Sequence, residues 1–322
     1  MRRITGVLLL LLTAVAPHAA LADAKGKRVA FFVSGPTHPW VAALSKSFLA
    51  HAKELGLEVT EFDTPYDSSI QSQQVDDAVA RKFDLLAIEP ASDTAILPAL
   101  ARAKAAKIPV VIVNTALRTG SDDYFVTYVG ADHFDAGKKA GQALLASLKA
   151  GGRDAAKVAL ITGNMSQNNT QQRIAGFKDA IKANPKVTIV ATEDAKWETA
   201  PSEQIAGQLF ARFASSGGLD GVYAMADNQA IATIRAADAS GVKLGEKNLI
   251  VVGSNCDSDG IKAIRDGRMG GTVTFAPGPI GNGAADAIAG YFSGKQQPKV
   301  QMLPVDIVDK ADVEKWAGVC TF

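Results

Sequence analysis

From Lys27 onward, short apolar runs rich in β-branched residues alternate with longer segments whose apolar residues recur every three or four positions. Such alternation is the sequence mark of βαβ units and parallel sheets. Arg28-Val29-Ala30-Phe31-Phe32-Val33 reads as a strand, and Trp40 to Leu55 follows as a helix with Val41, Leu44, Phe48 and Ala52 on one face. Strands follow at 57–62, 84–88, 108–113 and 125–129, with a helix over 94–106. The cycle restarts after Gly130-Ala131-Asp132, with helices at 137–149, 171–183, 202–214 and 228–237 and strands at 157–161, 187–191, 221–224 and 249–252. A helix near 260–265, a strand near 272–275, a helix over 280–292 and a single last strand over 300–308 complete the chain. Near-continuous apolar strands need helices on both faces of their sheet. The fold class is therefore α/β, with two doubly wound, Rossmann-like lobes. Because strands beyond Asn255 must also be housed, the chain is expected to cross between lobes more than once.

At 322 residues the chain suits two domains of about 150 residues each. Thirty-four basic side chains against 33 acidic ones leave a formal charge of +1, without the basic excess expected of a nucleic-acid or anionic-membrane partner. Residues 1–24 have the layout of a cleavable signal peptide: Met1-Arg2-Arg3, the apolar run VLLLLLTAVA, then small-x-small sites ending at Ala22 and Ala24. The run is shorter than the roughly 20 residues that span a bilayer, and no lipid-anchoring cysteine follows it. Cys256 and Cys320, the only cysteines, can bridge in an oxidising compartment or remain two separate buried thiols, and their spacing does not decide which.

Ligands of open parallel sheets bind beyond the carboxyl ends of the strands. Those ends carry Ser34-Gly35-Pro36-Thr37-His38-Pro39-Trp40, Glu89-Pro90-Ala91-Ser92-Asp93, Asn114-Thr115, a polar run from Gly163 to Gln171, Lys196-Trp197, Met225-Ala226-Asp227-Asn228, Ser254-Asn255 and Phe275-Ala276-Pro277. Aromatic faces among amides and hydroxyls, with Glu89 as the main charge, suit a neutral polyhydroxylated ligand, because amides both donate and accept while rings cover the C–H face of a sugar. The bland alternatives are helix caps at Ser34, Asn169 and Asn228, a turn at Asn255 and a core tryptophan at Trp197. Enzyme chemistry finds little support. There is no Gly-x-Ser-x-Gly elbow, no phosphate loop, no Gly-x-Gly-x-x-Gly after the first strand and no zinc-ligand spacing, so no cofactor or metal is expected.

The strand-end residues carry a resemblance. Ser34 through Pro39-Trp40, Glu89-Pro90-Ala91-x-Asp93, Arg173-Ile174-Ala175-Gly176-Phe177, Ala226-Asp227-Asn228 and Val251-Val252-Gly253 before Ser254-Asn255 resemble, in order, the periplasmic sugar-binding proteins of ABC importers, and among them the ribose-binding group. The resemblance implies a type I periplasmic binding protein fold with a three-crossing hinge. Residues 25–130 plus about 257–290 would form the N-terminal lobe, and 131–256 plus about 291–322 the C-terminal lobe. It also implies capture of a small neutral sugar or polyol between closing lobes in the periplasm, as a monomer that presents its closed form to an inner-membrane permease. Carried over by position, the ligand contacts would be Ser34, His38, Trp40, Glu89, Asn114, Gln171, Trp197, Ala226, Asn255 and Phe275, with Thr37, Asn169 and Asp227 beside them. Ribose binders place charged residues where this chain has Asn114-Thr115, Gln171 and Asn255, so a less charged, more apolar pocket and weak ribose binding are expected. A periplasmic receptor serving a sensor or chemoreceptor is the main alternative. A lactose-repressor-type regulator would need a DNA-binding head where the export signal stands, and a sugar-processing enzyme would need Glu89 paired with Asp227 or Asp132.

Overall fold

Every residue of β1 (Arg28–Ser34) after its first is buried, because this strand runs through the middle of a sheet covered on both faces. The computed structural model describes residues 23–322, so the expected signal peptide lies almost wholly outside the described residues. Helix α1 (Pro39–Glu54) follows with proline at its first position, then β2 (Glu58–Thr64), α2 (Ser68–Ala80), β3 (Leu85–Ile88), α3 (Leu97–Ala105), β4 (Val110–Val113) and β5 (Thr127–Ala131). The second lobe begins with α4 (His133–Ala150), β6 (Ala156–Thr162), α5 (Asn168–Ile181) and β7 (Val187–Asp194). It continues with α6 (Thr199–Phe213), β8 (Gly221–Ala224), α7 (Asp227–Ala239), β9 (Ile250–Val252), α8 (Ser258–Arg265) and β10 (Thr272–Val273). The chain ends with α9 (Pro277–Phe292), β11 (Val300–Leu303), β12 (Ile307–Val308) and α10 (Val313–Trp316).

The first sheet is parallel in the order β11-β5-β4-β3-β1-β2, and the second is parallel in the order β7-β6-β8-β9. In both lobes the first strand has its sequence successor on one side and the third strand on the other. That reversal opens a crevice at the strand ends, and it lies beyond β1/β3 in one lobe and beyond β6/β8 in the other.

Three segments differ from the sequence expectation. Helix α2 escapes a search for apolar periodicity because SSIQSQQVDDAVA buries only Gln71, Val75 and Ala78; Asp67 starts it by accepting from the amides of Ser69 and Ile70 at 2.8 and 3.0 Å. The last strand is two strands. Pro304 has no N–H for a ladder, and on either side of it β11 pairs with β5 of the first lobe while β12 pairs antiparallel with β10 of the second. The return segment is also shared out differently from 257–290 and 291–322. Helix α8 packs on α7, and β10 continues the second sheet through bridges Val252–Gly271 and Asn255–Thr274, so both belong to the second lobe. Helix α9 packs on α1, so with β11 it belongs to the first. The crossings therefore fall at 131–132, 274–276 and 304–306.

Helices α4 and α5 make the closest interhelical approach near the cleft. A Cβ on Gly137 would stand 2.0 Å from the Arg173 carbonyl oxygen, and one on Gly176 would stand 1.9 Å from that of Phe134. Only glycine lets the backbones meet there, and the approach fixes where α5 presents Arg173. Gly176→Ala gains helix propensity but forces the helices apart, so a net loss of about 2 kcal/mol is expected in urea denaturation. Unchanged stability would contradict this packing.

Candidate functional site: a cavity between the lobes

The carboxyl ends of β1 and β3 are tied together before any ligand enters. The Ser34 hydroxyl donates to the Glu89 carbonyl at 3.1 Å, and its amide reaches Glu89 Oε2 at 3.4 Å. Gln71, wholly buried, donates to the same carbonyl at 2.9 Å and accepts from the Ala91 amide at 2.9 Å. Asn114, at φ 59°, donates through Nδ2 to Glu89 Oε1 at 2.6 Å. Burial pushes the Glu89 carboxyl up to about 7, against the opposing pull of the Asn114 and Ser34 hydrogen bonds.

His38 caps α1, its Nδ1 accepting from the Trp40 amide at 3.2 Å. The proton therefore sits on Nε2, which is buried beside the Asn228 side chain. Burial lowers its pKa to about 4, with Asn228 pulling upward and the Arg173 charge adding to the fall, so the ring is a neutral donor at neutral pH. Trp40 packs on Phe275 with ring centroids 5.2 Å apart, and its indole N–H donates to the Phe275 carbonyl.

The second lobe contributes a buried cation. Arg173 is 2% exposed, and its guanidinium lies 4.7 Å from the Phe275 ring centroid and 5.4 Å from that of Trp197. Its Nε donates to His133 Nδ1 at 3.3 Å and its Nη1 to the Met225 carbonyl. His133 Nε2 in turn donates to the Asn114 carbonyl at 2.9 Å, so one neutral imidazole joins the Arg173 of one lobe to the Asn114 of the other. Burial, and then the charge of Arg173, lowers His133 to about 3, which keeps it in that neutral role. Among the described residues no carboxylate lies within ion-pair distance of Arg173. Trp197 sits at φ 68° over Gly163, where a Cβ would meet the indole at 1.8 Å, and donates to Gln167 Oε1 at 2.7 Å.

Across the cleft, Gln167 donates to the Pro90 carbonyl at 3.3 Å, Asn168 to that of Ala116 at 3.3 Å, and Asn169 to the Thr115 hydroxyl at 3.1 Å. The cavity these contacts enclose has about 30 Å³ of free space, far short of the roughly 300–1,000 Å³ of ligand pockets, so a ligand larger than water needs its walls to part.

Eight residues expected from the sequence meet at this cavity: His38, Trp40, Glu89 and Asn114 from the first lobe, with Asn169, Trp197, Asn255 and Phe275. Four do not. Ser34 is wholly buried behind Glu89, and Thr37 is exposed. Gln171 points outward and donates to the Met165 carbonyl at 2.8 Å. Asp227 is wholly buried away from the cavity, accepting from the Thr272 hydroxyl at 2.7 Å and the Asp257 amide at 2.9 Å. Ala226, carried over by resemblance, does not line the cavity either. Val41, Tyr66, Gln167 and Arg173 do line it and were not singled out as contacts. Helical spacing was the available signal for Arg173: it lies two residues beyond Gln171, and its neighbours Ile174 and Phe177 are buried. Arg173 adds a guanidinium to one wall, beyond the residues on which the expectation of a pocket less charged than a ribose binder's rested. None of the three supposed caps sits at an N-cap position, though Asn169 Oδ1 accepts from the first-turn amide of Thr170 at 2.7 Å. Ser34 ends a strand, Asn169 bonds across the cleft, and Asn228 donates to the Trp197 carbonyl at 3.0 Å. Cys256 and Cys320 are bridged, with Cα atoms 5.1 Å apart.

Two doubly wound lobes, three crossings and a polar, aromatic-walled cavity at both topological switch points define a two-lobed small-molecule binding protein. Residues 29–296 match the family model described as periplasmic binding protein domain, and the chain belongs to that family. It is 27% identical to the ribose import binding protein RbsB of Haemophilus influenzae over 87% of this chain and 89% of that protein. It is 25% identical to the galactofuranose-binding protein YtfQ of Escherichia coli over 95% of each. Among solved structures, the arabinose ABC transporter component from Shewanella sp. ANA-3, bound to α- and β-L-arabinofuranose, superposes with a TM-score of 0.83 at 27% identity, over 91% of this chain and 95% of that one. Among the described residues no helix is long and apolar enough to cross a membrane.

Glu89 gives the site a pH dependence with a definite sign. Its raised pKa means the folded chain holds a proton between about pH 4.5 and pH 7 that the unfolded chain has lost, so its contribution to apo stability falls as pH rises through that window. Ligand hydroxyls donate best to the ionised form. Affinity is therefore expected to climb up to about pH 7 and then level off, and Glu89→Gln should flatten the profile in calorimetric titrations. An equally steep profile in the variant would assign the dependence to another group.

Proposed function

We propose that this chain is the solute-binding component of an ABC importer, exported to the periplasm, where as a monomer it captures a monosaccharide-sized sugar or polyol and delivers it to an inner-membrane permease. The observation that carries the reading is the pairing of Glu89 and Arg173 on opposite walls of a cavity faced by Trp40, Trp197 and Phe275. Glu89 and Asn114 Oδ1 accept from hydroxyls, His38 Nε2 and Arg173 donate to ring and hydroxyl oxygens, and the indoles cover C–H faces. No catalytic role is needed, since each group acts on a bound ligand only by holding it. The relatives named for ribose, galactofuranose and arabinofuranose support a sugar as the ligand. Hinge bending at the three crossings would open the closed cavity to admit the ligand and release it.

A thermal-shift screen over aldopentoses, aldohexoses, cyclitols and linear polyols tests this. A ligand present at 100 times its dissociation constant adds about 2.7 kcal/mol to stability, readily seen as a raised melting temperature. Trp40→Ala and Trp197→Ala are expected to remove that shift, since each opens a wall of the cavity. A screen in which no sugar, cyclitol or polyol moves the melt would remove the reading.

A further inference from the structure

Asn255 reaches the cavity from the loop between β9 and α8, and its backbone is the least relaxed part of the site. Asn255 sits at φ 115° and Cys256 at φ 61°, consecutive non-glycine residues in a region that L-residues hold only when their surroundings oblige them to. Two groups of contacts oblige them. On the inner side, buried Asp227 accepts from the Asp257 amide and the Thr272 hydroxyl, while Thr272 Oγ1 accepts from the Cys256 amide at 3.4 Å. The Asn255 amide donates to the Val273 carbonyl at 2.9 Å, one residue before the second crossing begins. On the outer side, the Cys256–Cys320 disulfide ties the loop to the C-terminal segment, whose Phe322 carbonyl accepts from the amide and the hydroxyl of Ser258, each at 3.2 Å.

We propose that the Cys256–Cys320 disulfide is a positioning clamp. It touches no ligand and sets the affinity of the cleft by holding Asn255 in its strained backbone conformation, so that its amide faces the cavity. The inference rests on the reading of that cavity as a sugar site. It adds a consequence: a chain whose thiols are still reduced has an incomplete site, and the site is finished only where disulfides form. Asp227 is the second positioning residue, acting on the same loop from within. That is why an acid expected among the ligand contacts is found behind them.

A double-mutant cycle separates positioning from general stabilisation. With the sugar identified by the screen, calorimetry compares wild type, Cys320→Ser, Asn255→Gly and the double variant. Breaking the disulfide is expected to weaken binding about tenfold in the wild-type background and to have no further effect beside Asn255→Gly, where there is no amide left to place. Wild-type affinity in Cys320→Ser, or an equal loss in both backgrounds, would overturn the proposal. A second arm needs no ligand. In the ligand-free protein, reduction with dithiothreitol should accelerate amide exchange at Asn255, Cys256 and Asp257 and leave β1 unchanged. Unaltered exchange at those three amides would also overturn it, whatever the screen finds.

Discussion

Arg173 is a buried cation held without a carboxylate partner, and much of the cleft is arranged to keep it there. An unpaired charge in an apolar interior is strongly disfavoured. Here the guanidinium is compensated piecemeal, by the Met225 carbonyl, by a neutral His133, by the buried Tyr223 and Asp227, and by the faces of Phe275 and Trp197. Each support makes a demand on the sequence. The helix bearing Arg173 must approach the helix bearing His133 as closely as Gly137 and Gly176 allow. His133 must stay neutral to accept from Arg173 while donating across the cleft to Asn114, and its burial ensures this. A ligand oxygen in the cavity would add one more acceptor beside these.

The opposite wall follows the same logic with the sign reversed. Glu89 is buried between Asn114 and the Ser34 amide, and Gln71 locks the backbone on which it stands. Both charges sit at the point where their sheet reverses strand order, which is where the backbone leaves room. The three crossings then keep the two walls in register. Pro304 is central to the third, because it ends one sheet's edge strand and lets the next residues join the other.

The alternation of apolar runs and helical faces made the two lobes legible, since fully buried strands such as VVIV have no other reading beside amphipathic helices. Residues at strand ends were legible for the same reason: topology alone brings His38, Glu89, Asn114, Trp197 and Asn255 to one place. What the sequence hid was orientation within a helix or loop. Gln171 and Arg173 are two residues apart on α5, about 200° around the axis, so choosing one excludes the other. Asp227 follows a strand, the position of a ligand contact, yet its bonds go to the loop behind. Helix α2 went unread because its buried positions include a glutamine, a residue whose role at the β1 and β3 ends appears only in three dimensions.

The central claim is that one small polar ligand, gripped between Glu89 and Arg173, holds the lobes together. Small-angle X-ray scattering of the wild-type protein, without ligand and saturated with the sugar found by screening, measures this directly. On this claim, a smaller radius of gyration is expected on saturation, and no change for Arg173→Ala at the same sugar concentration. A radius that stays constant in the wild type while calorimetry shows the site filled would contradict it.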